Sequence, residues 1–115
     1  MNKRTVGKNY EEQAKLFLES LGMTVLERNF RIRTGEIDLI ARDGEYLVFV
    51  EVKYRASRRL GDALEAVDAR KQQRIFRTAQ YYLKEHGLGF DTPCRFDVVG
   101  INGSEMTHIK NAFWG

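Results

Sequence analysis

At 115 residues, 43% apolar and 30% charged, the chain has the makeup of one soluble globular domain spanning 1–115, with enough apolar content for a core that needs no covalent staples. Its single cysteine, Cys94, excludes an internal disulfide and an all-thiolate metal site, which fits a reducing cytoplasm; no apolar run has the length of a membrane span or of a secretory signal. The formal charge of +3 leans towards an anionic partner, and the basic residues cluster as Arg28, Arg31 and Arg33, as Lys53, Arg55, Arg58 and Arg59, and as Arg70, Lys71, Arg74 and Arg77. Solvated faces would give the same total.

Residues 8–21 carry Tyr10, Ala14, Phe17, Leu18 and Leu21 at helical spacing, and Gly22 is a natural stop. Met23 to Arg31 alternates loosely as a strand. Thr34-Gly35 turns into a strand over Glu36–Ala41, and Asp43-Gly44 signals a hairpin into a strand over Tyr46–Tyr54. Short turns between three strands predict an antiparallel meander. Arg55 to Gly61 has no apolar period and reads as a loop. Residues 62–86 read as helical with a break near Asp68, which suits a cap for a second segment; Ile75, Phe76, Ala79 and Leu83 form its stripe and Gly87 closes it. Arg95 to Ile101 is a further strand, and the helical crossover before it permits pairing parallel to the third. Residues 105–113 are a candidate last strand. The expectation is an α/β fold, helix, three-stranded meander, helix, strand and a possible further strand, with a mixed sheet flanked by helices.

Two of these strands carry charge on apolar ground. In Leu47–Tyr54, alternation puts Val48, Val50, Val52 and Tyr54 on one face and Leu47, Phe49, Glu51 and Lys53 on the other. Both faces begin apolar, as in a central strand, and only the second turns to charge, at the strand's end. Glu51 and Lys53 then project from the same side, roughly 6–7 Å apart along the strand. Across the hairpin, Asp38 can converge on Glu51. Two carboxylates at close range repel unless a divalent cation joins them, and Mg²⁺ suits one or two carboxylates, waters and phosphate oxygens. All-oxygen ligation argues against zinc. Lys53 would stand beside the attacking water or the scissile phosphate. Glu11, at the margin of the first helix's stripe, can lean over the sheet towards Asp38.

Asp38 followed after a hairpin by Glu51-x-Lys53, with Glu11 on an upstream helix, resembles the PD-(D/E)xK nucleases. More closely, Gly7, Glu11, Ala14, Gly22, Asn29, Gly35-Glu36-Ile37-Asp38-Leu39-Ile40, Phe49-Val50-Glu51-Val52-Lys53, Lys71, Arg95-Phe96-Asp97-Val98-Val99 and Asn111-Ala112-Phe113 resemble the bacterial YraN family, related to archaeal Holliday junction resolvases. The chain departs from the nuclease signature at Ile37, where a proline is expected. The resemblance implies a restriction-endonuclease-like core and a nuclease hydrolysing phosphodiester bonds in DNA, including branched or junction DNA. It implies Glu11, Asp38 and Glu51 as ligands of Mg²⁺ or Mn²⁺, Asp38, Glu51 and Lys53 as catalytic residues, and Lys71 as a phosphate contact. Arg55, Arg58, Arg59 and Arg74 extend the candidate nucleic-acid-binding set, and a two-fold homodimer would place two sites for cutting both strands. The alternative is a nucleic-acid-binding or repair-complex interaction module on the same scaffold without chemistry.

Plainer readings stand beside these. A lone Glu-x-Lys is usually a surface ion pair. Lys71 and Arg74 read as ordinary surface cations, by a small margin. Glu36 shares Asp38's face as an outer group or an arginine partner. Asp97 reads as a local cap or partner of Arg95, Cys94 as a small buried residue, and His86 as a helix-end cation. His108 has no metal-ligand spacing to another His or Cys. Tyr81, Tyr82, Phe113 and Trp114 read as packing groups.

Overall fold

The computed structural model describes residues 3–54, 67–103 and 105–113, with side chains from residue 9 onward. Helix α1 (Lys3–Ser20) is followed by the meander β1 (Thr24–Ile32), β2 (Gly35–Asp43) and β3 (Tyr46–Tyr54), then by helix α2 (Ala69–Glu85) and strands β4 (Cys94–Asn102) and β5 (Glu105–Ile109). The sheet runs β1-β2-β3-β4-β5; β3 and β4 are parallel, as the helical crossover permits, and the other neighbours antiparallel. This is the expected α/β order with the fifth strand present. It ends at Ile109, short of the expected residue 113.

Both helices stop where glycine allows the chain to turn left-handed. Gly22 has φ 94°, with Gly22 N–H on Glu19 C=O and Met23 N–H on Leu18 C=O. Gly87 has φ 68°, with the matching bonds to Lys84 and Leu83. Each pair closes a Schellman motif, satisfying carbonyls the helix would leave open. Leu21 thereby falls on the cap, out of phase with the stripe, and is 52% exposed rather than buried.

The sheet buries both faces. Phe30, Ile37, Ile40, Leu47, Phe49 and Val98 meet Ile75, Ala79, Tyr82 and Leu83 of α2. Leu39, Ala41, Val48, Val50, Val99 and Ile101 meet Ala14 and Leu18 of α1. The alternation expected for β3 therefore holds, with Leu47 and Phe49 towards α2 and Val48 and Val50 towards α1. Slipping β3 by one residue would turn these side chains to the wrong cores, at the overpacking and cavity cost of a misfitted interior. That cost fixes the register, and with it the position of Glu51. Tyr82 and Phe113 are buried as expected, but Tyr81 lies a helical step off the stripe and is 51% exposed. Cys94 is half-buried rather than enclosed. Trp114 lies outside the described residues.

β2 breaks its own alternation. Ile37 and Ile40 face α2 while Leu39 and Ala41 face α1, so the irregularity falls at Asp38. On β1, Asn29 sits between the pairs Arg28↔Leu39 and Phe30↔Ile37, opposite Asp38, with φ 52°. Asparagine tolerates that conformation better than most residues. The recorded β2–β3 pairing also stops at Leu39↔Val50, one residue short of Asp38.

Candidate active site

Beyond the last β2–β3 pair, the Asp38 carboxylate does what a backbone carbonyl would do in a continuing ladder. Its Oδ2 accepts the Val52 N–H at 2.9 Å. An acid is thus built into the seam between two central strands, beside Glu51, which is only 3% exposed. Lys53 projects from the same face of β3, and its Nζ lies 3.9 Å from Glu51 Oε2.

Helix α2 delivers a second amine. Asp68 caps it as the break in the sequence suggests, its side chain accepting Lys71 N–H at 2.9 Å, which fixes the first turn. α2 can lie against the β1–β2 turn because Gly35 has no side chain: a Cβ there would collide with Thr78 Oγ1 and come within 3.3 Å of Arg74 C=O. In that pose Lys71 Nζ reaches Glu51 Oε2 at 3.1 Å, closer than Lys53 does. Lys71 is therefore a partner of the buried acid, not the ordinary surface cation that its helical position suggested.

Burial and like charge dominate the electrostatics. Glu51 is pushed up to about 7, first by burial and then by Asp38, against the pull of Lys71 and Lys53. Burial likewise raises Asp38, opposed by its bond from Val52 and by Lys53. Lys53 is lowered by burial and by neighbouring Lys71. Lys71 is raised: burial works against its charge, but its hydrogen bond to Lys53 and the attraction of Glu51 outweigh that.

Glu11 comes from the other side of the sheet. Two contacts bring α1 to this end of the sheet: Glu12 pairs with Arg28, and Tyr10 stacks on Tyr54 with ring centroids 4.5 Å apart. Glu11 is raised by burial and by the charges of Asp38 and Glu36, and its Oε2 is buried without a hydrogen-bond partner. A buried orphan oxygen within the field of other carboxylates is the kind of group a cation satisfies. Among the described residues, however, no three His, Cys, Asp or Glu side chains stand close enough to hold one metal ion together. The structure brings Asp38 and Glu51 together, and leaves Glu11 within their field but apart. As an all-oxygen donor pair, Asp38 and Glu51 fit a hard divalent cation of the Mg²⁺ kind.

A cleft of about 650 Å³ opens over this pair, lined by Asp38, Glu51, Glu36, Lys71 and Arg74 and walled by the β1–β2 turn through Arg31 and Arg33. Glu36 holds Arg31 at 3.2 Å, the arginine partner expected of it. The sequence offered Arg31 and Arg33 only as a basic cluster; in the fold they line the same cleft as the acids. Arg55, Arg58 and Arg59 lie outside the described residues.

On the neighbouring strand β4, opposite Val50, Asp97 is more than a local partner. It is fully buried and binds Arg95 through Nε and Nη2, both at 3.0 Å, His108 Nε2 at 2.6 Å and the Asn111 N–H at 2.9 Å. Arg95 also reaches Asp43 at 2.9 Å. The residues beyond Arg95 are contributed by β5, the turn after it and the β2–β3 hairpin, which spacing along the chain does not reveal.

No helix among the described residues is long and apolar enough to cross a membrane. The chain is 50% identical over 113 residues to a UPF0102 protein of Lachnoclostridium phytofermentans, covering 98% of this chain and 96% of the relative. It is 48% identical over 114 residues to a UPF0102 protein of Serratia proteamaculans, covering 98% and 97%. A UPF0102 protein of Aliivibrio salmonicida is 50% identical over 114 residues, covering 96% and 93%. Residues 10–101 match the profile described as "Uncharacterised protein family UPF0102", a span that holds Glu11, Asp38, Glu51, Lys53 and Lys71. The chain is a member of the UPF0102 family.

Proposed function

We propose that the protein is a metal-dependent nuclease of the PD-(D/E)xK kind with a restriction-endonuclease-like core, hydrolysing phosphodiester bonds in DNA, branched or junction DNA included. Within that group the motif pattern is closest to the YraN family. The observation that carries the reading is the pairing of Asp38 and Glu51 on the floor of a cleft whose walls are cationic, with Lys53 on the same strand end. A protein that only bound nucleic acid would gain nothing from two buried carboxylates facing phosphate, which they repel.

Asp38 and Glu51 would hold Mg²⁺ or Mn²⁺, with Glu11 as a further carboxylate. When bound, the metal supplies polarisation of the phosphate and a more acidic water. The protein's own groups do the rest. Arg31, Arg33 and Arg74 bind backbone phosphates and so set the strand's path through the cleft without reading sequence. Lys53, beside Glu51 on the same strand end, orients or deprotonates water or neutralises charge developing on the phosphate.

The test is incubation of pure protein with labelled linear, flapped and four-way DNA in Mg²⁺. Cleavage is expected, with a loss of roughly 100-fold or more in Glu51→Ala, the scale of one electrostatic contact to developing charge. No cleavage of any substrate, or cleavage indifferent to Glu51→Ala, refutes the reading. The second reading is a binding module without chemistry. It is favoured by the absence, among the described residues, of a three-acid cluster. It predicts salt-dependent binding without turnover, and little change in affinity for Asp38→Asn.

A further inference from the structure

We propose that Lys71 is the resident counter-cation of Glu51, surrendered when a divalent cation binds and handed to a substrate phosphate, so that metal and nucleic acid bind with positive cooperativity. The inference rests on the metal-site reading above and adds the residue that links the two ligands.

Lys53 and Lys71 converge on the same oxygen, Glu51 Oε2, at 3.9 and 3.1 Å. A buried carboxylate does not give up such a partner without replacement, since an unpaired buried charge is costly. Two amines already share one carboxylate oxygen here, so a dication arriving between Asp38 and Glu51 would set like charges against each other in a poorly solvated space until one ammonium withdrew.

The geometry selects Lys71. Its side chain is 34% exposed against 20% for Lys53, and it lines the cleft together with Arg74 and Arg33, whereas Lys53 is not part of that lining. A lysine on a flexible four-carbon stem can turn its point charge from Glu51 to a phosphate without moving the helix. The Asp68 cap holds the Lys71 backbone in place while the side chain swings. Phosphate drawing Lys71 into the cleft frees Glu51 for metal, and metal at Glu51 frees Lys71 for phosphate. Such linkage is reciprocal by thermodynamic necessity.

The test reads binding, not turnover. Mn²⁺ affinity is measured by electron paramagnetic resonance of the free ion for the wild type, Lys71→Met and Arg74→Met, the last removing a cleft cation that is not an ion-pair partner of Glu51. Affinity for a non-cleavable phosphorothioate duplex is then measured by fluorescence anisotropy with and without saturating Mn²⁺. Lys71→Met is expected to bind Mn²⁺ at least about fivefold more tightly than the wild type, and Arg74→Met to gain clearly less. Mn²⁺ is expected to tighten duplex binding by the wild type at least about fivefold, and that gain is expected to shrink in Lys71→Met. In the unmodified protein, the Lys71 side-chain ¹³Cε resonance should shift on Mg²⁺ titration more than that of Lys53, a readout that survives even if a variant fails to fold. Equal or weaker Mn²⁺ binding by Lys71→Met, a gain no larger than that of Arg74→Met, or a Lys71 resonance unmoved at saturating Mg²⁺ overturns the proposal. Metal-dependent cleavage alongside those results would leave the nuclease reading standing. No saturable Mn²⁺ binding by any of the proteins overturns both.

Discussion

Replacing Asp97 with asparagine should be among the most damaging isosteric changes in this chain. In the native structure Oδ1 accepts Arg95 Nε–H and the Asn111 N–H, while Oδ2 accepts Arg95 Nη2–H and His108 Nε2. An ionised carboxylate only accepts, so His108 Nε2 must be the donor. In Asp97→Asn the retained oxygen can keep the first two bonds. The new amide then confronts Arg95 Nη2 and His108 Nε2, donor against donor. His108 can change tautomer; the guanidinium cannot. Removing one partner of a buried ion pair costs about 3–5 kcal/mol, and the surviving Arg95–Asp43 bridge points to the lower end, about 3 kcal/mol. At a urea m-value of about 2 kcal/mol/M, the unfolding midpoint should fall by about 1.5 M with the slope unchanged.

The pH dependence has a definite sign. Burial alone would raise Asp97, but the bonds from His108, Arg95 and Asn111 prevail and hold it below the usual aspartate range. The folded state therefore prefers the ionised form, so this contribution is complete above the unfolded pKa and lost as pH falls through the lower folded value. The gap between wild type and variant should be full at pH 7 and close below about pH 4. A loss under about 1 kcal/mol at pH 7, or a gap that widens in acid, would refute the account of Asp97 as a buried charged anchor.

Two further perturbations bear on the candidate site. Because Glu51 is raised to about 7, the wild type should lose stability as pH climbs from about 4.5, its unfolded range, through 7, whereas Glu51→Gln should not. In EDTA the variant should melt higher than the wild type at pH 8, by the equivalent of about 1–3 kcal/mol, and converge with it near pH 5; a variant that is relatively weaker at pH 8 contradicts the assigned burial penalty. Gly35→Ala forces a methyl against the Thr78 hydroxyl and close to Arg74 C=O, so the Thr78 side chain must move and α2 must ease away from the turn. It should destabilise the fold by about 1–3 kcal/mol and weaken any metal-dependent cleavage by displacing Lys71, with thermal melts and the cleavage assay as readouts; unchanged values in both would show that the close approach is not needed.

How far the sequence reached depended on the range of the interaction concerned. Alternation in β3, the Asp43-Gly44 hairpin, the stops at Gly22 and Gly87 and the cap at Asp68 are set by neighbours a few residues apart. Those local rules were enough for the order of elements and for the same-side placement of Glu51 and Lys53. They also left Asp38 able to meet Glu51, since a hairpin's register follows from its turn. They could not show that β2 breaks its alternation at Asp38, because that irregularity involves Asn29 on β1. Nor could helical periodicity distinguish Lys71 from Arg74 as a partner for Glu51. That choice depends on how α2 settles over Gly35, and on which first-turn side chain then overhangs the end of β3. Asp97 shows the same limit. Arg95 was within sight two residues away, while His108 and Asn111 arrive only once β5 has paired with β4 and the chain beyond it has turned back. The sequence by itself determined the elements and one strand's worth of the site. Tertiary structure alone decided which cation answers the buried acid, since docking sets distances between residues that spacing along the chain leaves free.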